Sequence, residues 1–65
     1  MDSMQKAAFI VAQAAMAQGE LMGMAAENQH RIAVGRTDLY TEEAFASVPI
    51  KYGLGHNDVL TYLQS

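Results

Sequence analysis

Counting the first half of the chain in sevens leaves one polar row, Lys6, Gln13, Glu20 and Glu27. That spacing reads as a solvent stripe along a long helix. On the opposite side Met4, Ala8, Val11, Ala15, Gln18, Met22, Ala25, Gln29 and Ile32 recur in alternating steps of four and three. Phe9, Ile10, Met16, Leu21 and Met24 flank that row. The apolar sector is therefore wider than a two-stranded seam, and a helix with so wide a sector has to touch more than one neighbour.

The pattern predicts a single helix from Ser3 to Val34, rich in the strong helix formers alanine, methionine, leucine, glutamine and glutamate. Asp2 or Ser3 is placed to cap its start, and Gln5 stands three residues after Asp2 in a capping-box arrangement. Arg31 suits the negative pole of the helix dipole, and Gly35 suits the position just past the last turn. Gly19 and Gly23 weaken the helix by roughly 1 kcal/mol each. No proline or turn-forming pair accompanies them, so an unbroken helix is the better reading than a break into two.

The second half carries a different composition. Residues 35–65 hold the only proline, Pro49, and all three tyrosines, whereas all five methionines precede Gly35. Thr41 is expected to cap a short helix from Glu42 to Ser47, its two glutamates at the positive end. Pro49 is expected to end it, because the residue before a proline is pushed out of helical geometry. Residues 50–55 then read as a loop or a brief extended stretch. Asn57 or Asp58 would cap a last helix from Val59 to Gln64, with Val59, Leu60 and Leu63 on one side. The fold class is all-α: one domain over 1–65, with a long helix in 1–34 and short helices and loops in 35–65.

Size turns this pattern into a demand for association. A helix of about 32 residues is roughly 48 Å long, while a compact 65-residue globule has a radius of gyration of only about 11 Å. Thirty residues in short pieces cannot cover such a helix, and chains this small need disulfides, a metal or partner subunits. The chain has no cysteine and only two histidines, so association is the remedy left. Packing as a helical homo-oligomer is the expectation, with Ala8, Val11, Ala12, Ala15, Gly19, Met22 and Gly23 at the interface. Within that set the small residues at steps of three and four, including the Gly19–Gly23 pair, allow backbones to approach closely. Met4, Met16, Met22 and Met24 would suit an oligomer core or an adaptable surface for a partner helix.

Charge and chemistry narrow the function. Four basic residues against seven acidic ones give a net charge of −3, which argues against coating double-stranded nucleic acid. Residues 7–26 have the length of a membrane span. Gln13, Gln18 and Glu20 lie inside it, and a carboxylate near mid-bilayer costs about 2.5–3.5 kcal/mol. No secretory signal is visible at the start, and a cysteine-free chain fits a reducing compartment, so a cytoplasmic protein is expected.

Arg31, Arg36, Tyr40, Lys51, Tyr52 and His56, with His30 beside them, form one constellation that could converge as an anion or nucleotide pocket at a subunit junction. The plainer reading has the arginines compensating the helix end and the tyrosines packing. Gly53-Leu54-Gly55 before a capped helix lacks the rest of any phosphate-binding pattern and reads as a tight turn. His56 and Asp58, even with Asp38 or Glu43, lack metal-ligand spacing, and no metal or cofactor is expected. Ser3, Thr37, Thr41 and Ser47 have no base and orienting acid nearby, so they read as caps and turns. Size, helical content and lack of cysteine resemble those of small phage accessory and inhibitor proteins, a likeness of class that assigns no residue.

The function expected is thus non-enzymatic: a small oligomeric binding or inhibitor-type protein that sequesters or blocks a partner. A sponge for a small anionic ligand, and a structural part of a larger particle, are the alternatives.

Overall fold

The computed structural model describes residues 2–64, which form three helices: α1, Ser3–Ala33; α2, Glu42–Lys51; and α3, His56–Gln64. Among the described residues there is no strand. α1 starts with a complete capping box. The Gln5 amide donates to Asp2 Oδ1 at 2.8 Å, and the Asp2 amide donates to Gln5 Oε1 at 3.1 Å. The helix passes through Gly19 and Gly23 without a break. It ends where Gly35 adopts φ of +82°. There the Gly35 amide reaches Ile32 O at 3.0 Å and the Arg36 amide reaches Arg31 O at 2.8 Å. These paired bonds satisfy carbonyls that a helix end otherwise leaves open.

Thr41 caps α2 as its spacing suggests, accepting the Ala44 amide at 3.1 Å, with Glu42 and Glu43 in the first turn. Pro49, however, does not end the helix at Ser47: it lies inside α2, which bends and continues to Lys51. So late in a helix the proline removes a single backbone bond, the one its missing N–H would make to Phe45 O, and a kink is the result. Val48, the residue before it, is 3% exposed, so packing holds it in a conformation that local sterics disfavour. The stop comes at Gly53, φ +71°, with the Leu54 amide donating to Pro49 O at 2.8 Å.

α3 also begins earlier than its side chains suggest. The Val59 amide bonds Gly55 O at 3.0 Å, so the helix starts from Gly55, and Asn57 and Asp58 stand in its first turn rather than before it. Asp58 there still favours the positive helix end.

After α1 the chain doubles back along it. Tyr40 lies beside Asn28, Lys51 beside Glu20, Tyr52 beside Gln13, and Tyr62 stacks on Phe9 with ring centroids 5.5 Å apart. The result is a single layer of helices, its Cα envelope 50 × 17 × 10 Å and its radius of gyration 15.2 Å, against about 11 Å for a compact chain of this length. A domain ordinarily closes its core between two layers. With one layer, only Ala17 and Val48 are buried among the described residues.

Which side of α1 is covered is the main departure from the sequence pattern. Lys6, Gln13, Glu20 and Glu27 do not face solvent. They are half-buried, along with Ile10, Leu21 and Met24, on the side facing α2 and α3. The short helices turn apolar side chains, Phe45, Val48 and Val59 among them, together with polar partners toward α1, and its mixed face is the one that can use both. Gln13 Nε2 donates to Tyr52 O at 3.4 Å, and Lys51 pairs with Glu20.

Candidate functional site

Two arrangements stand out: the outward surface of α1, and the polar contacts that hold the returning chain against it.

The nine residues from Met4 to Ile32 in the four-and-three row are all exposed. So are Ala8, Val11, Ala12, Ala15, Gly19, Met22 and Gly23, the set expected at an interface. Met4 is 81% exposed, Val11 68%, Met22 65% and Ile32 60%, a mainly apolar row, interrupted by Gln18 and Gln29, of a length that single-chain proteins rarely leave open. A Cβ added at Gly19 or Gly23 would meet nothing within 4 Å. The charged residues of α1, Lys6, Glu20, Glu27 and Arg31, all lie within about 60° of its circumference at about 100° per residue, on the side facing α2 and α3. Every exposed position from Ala7 to Gln29 is uncharged.

The expected anion constellation divides into separate groups. Near the end of α1, Arg31 lies 4.6 Å from the centre of the Tyr40 ring. It donates from Nη1 to Asp38 O at 2.8 Å and from Nε to Glu27 at 3.1 Å. Arg36 pairs with Asp38. The Asn28 side chain grips the Tyr40 backbone twice, donating to its carbonyl at 3.0 Å and accepting its amide at 2.7 Å. This mid-helix asparagine gave no periodic signal, because its partners lie in a loop twelve residues on. Lys51 and Tyr52 form the second group, with the Lys51 ammonium 5.3 Å from the Tyr52 ring centre and paired with Glu20. Glu20 and Arg31 are eleven residues apart on one helix, so these groups are roughly 16 Å apart at about 1.5 Å per residue. His56 is exposed in the first turn of α3.

A third feature had no sequence signal beyond the position of Tyr62, one turn after Val59. Phe9, Gln13, Tyr52, Asp58 and Tyr62 line a cavity of about 180 Å³ between α1 and the start of α3. Among the described residues, no group of three or more His, Cys, Asp or Glu side chains is placed to hold a metal ion. No described helix is long and apolar enough to cross a membrane.

The ion pairs set the expected pH response. The Lys51 ammonium hydrogen-bonded to Glu20 holds that carboxyl below its ordinary value, and the Arg36 guanidinium does the same for Asp38. A carboxyl lowered by folding stabilises the fold above its unfolded pKa, and that contribution is lost as pH falls through the folded value. The same pairs raise Lys51 and Arg36, whose contribution is present at neutral pH and lost on the alkaline side. The melting temperature is therefore expected to be flat around neutrality and to fall below about pH 4. Glu20→Gln should flatten part of that acid slope; an identical slope in thermal melts from pH 2 to 7 would discount the Glu20–Lys51 pair.

Comparison with protein-family models, with characterised proteins and with solved structures finds no match for this chain.

Proposed function

We propose that this protein is a non-enzymatic helical binding protein that self-associates through the outward face of α1. Residues 35–64 then remain at the rim, free to occupy or block a partner. The observation that carries the reading is the division of α1: its charges turn toward its own chain, and its uncharged, apolar side is left uncovered. A single layer of helices has no closed core, and chains of this size gain stability chiefly from added staples or subunits. The hydroxyl residues support binding rather than turnover, since Thr41 caps α2 and the Ser47 hydroxyl donates to Ala44 O at 2.6 Å. The anion-sponge alternative has less to build on, because Arg31, Arg36 and Lys51 are each engaged with a carboxylate of the same chain.

Light scattering on the eluting peak of a sizing column tests the reading. A mass that is a multiple of 7.1 kDa at micromolar concentration is expected, and a well-folded monomer would sink the proposal. Gly19 sharpens the test. Within one chain a side chain there meets nothing, so Gly19→Ala should add about 1 kcal/mol of helix stability if the site faces water. Gly19→Leu should instead cost the assembly about 1–3 kcal/mol through overpacking if a second backbone lies there. If Gly19→Leu keeps both the native mass and the melting temperature, this part of α1 is not an interface.

A further inference from the structure

Resting on the self-association just proposed, we infer that the outward face of α1 is covered by a second copy of this chain lying antiparallel along it, with the two-fold axis beside Gly19. Three observations lead there.

The first is charge. From Ala7 to Gln29 the outward surface has no charged residue, so its partner must present an equally uncharged strip about as long. The rest of the chain offers none: α2 exposes Glu42, Glu43 and Lys51, and α3 exposes His56 and Asp58. The same face of another copy fits.

The second is extent. The outward half of a helix about 46 Å long and 11 Å across has a surface of about 800 Å², close to the roughly 800 Å² per partner of a standard stable interface. Only a partner running the full length of α1 approaches that figure. Ala12, Ala15, Gly19, Gly23 and Ala26, all small and all exposed on one side of α1, are placed symmetrically about Gly19. That symmetry sets the axis at Gly19, where the absence of a side chain lets the helices come closest.

The third is polarity. Antiparallel helices place opposite dipole ends together. A parallel pair would instead set like helix ends side by side. In the antiparallel register residue pairs whose numbers sum to 38 face each other: Ala12 with Ala26, and Ala15 with Gly23.

Because the natural chain contains no cysteine, single cysteines report this register cleanly. Ala12→Cys and Ala26→Cys proteins, mixed and mildly oxidised, are expected to give at least about five times more mixed disulfide than either homodisulfide, since only closely apposed residues can be bridged. Ala15→Cys mixed with Gly23→Cys should behave in the same way and covers the case in which one variant of the first pair folds poorly. Preferential homodisulfides in an intact oligomer would mean a parallel pair, and would overturn this inference while leaving self-association standing. An intact oligomer with no disulfide from either mixture would place the interface elsewhere and overturn it as well. A monomer by light scattering would overturn both proposals together.

Discussion

Ala15→Glu is expected to convert the oligomer to monomer at micromolar concentration while leaving each chain helical. Glutamate is a strong helix former, and Ala15 is exposed in the single chain, so the fold of one copy tolerates the change. Buried against a second copy, the carboxylate would have no cation within the uncharged strip. An uncompensated buried charge costs about 3–5 kcal/mol, which weakens association by at least about a hundred-fold. In a symmetric pair the charge enters twice. Thr61→Glu, at an exposed position of α3, adds the same net charge and should leave the mass unchanged. Light scattering on both variants decides: equal masses would remove the outward face of α1 from the interface.

The second large effect is expected at Ala17, 3% exposed and one of the two residues buried among the described residues. A side chain larger than alanine there forces α1 away from α2. Ala17→Leu should therefore destabilise by about 1–3 kcal/mol, or about 4–8 °C of melting temperature for each kcal/mol in a domain this small. Ala46→Leu, exposed on α2, should stay within about 0.5 kcal/mol of the natural protein. Because assembly raises apparent stability by mass action, the melts are compared at one chain concentration. An undisturbed Ala17→Leu protein would mean that α2 does not pack on α1 at this point. The two variants separate the two faces of one helix, since Ala15→Glu disrupts what lies outside the chain and Ala17→Leu disrupts what lies within it.

Much of the backbone was legible residue by residue. Asp2 with Gln5, Thr41 with the two glutamates, and Gly35 each act over three or four positions, and each appears where its local chemistry puts it. The errors at Pro49 and at Asn57 also have local causes. A proline near the end of a helix costs only one hydrogen bond, and the Gly55 carbonyl accepts the first backbone bond of α3. Of the candidate site residues, Arg31 and Tyr40 are brought together, as are Lys51 and Tyr52, but the two pairs stay apart. Nothing in residue spacing measures how far along α1 the returning chain will lie.

The sequence by itself determined that α1 exists and that its apolar surface is too large for thirty further residues to cover; it favoured an unbroken run through Gly19 and Gly23, which the structure shows. Those conclusions rest on helix periodicity and chain length. Only the tertiary structure decided which side of α1 the chain uses for itself. A wheel of residues suggests that the polar row meets water, because it weighs each side chain against solvent alone. The fold weighs it against the partners actually available. Lys51, the Tyr52 carbonyl and the short apolar runs of α2 and α3 match a mixed face better than a purely apolar one. The polar row is thereby turned inward, and the uncharged row is left facing out.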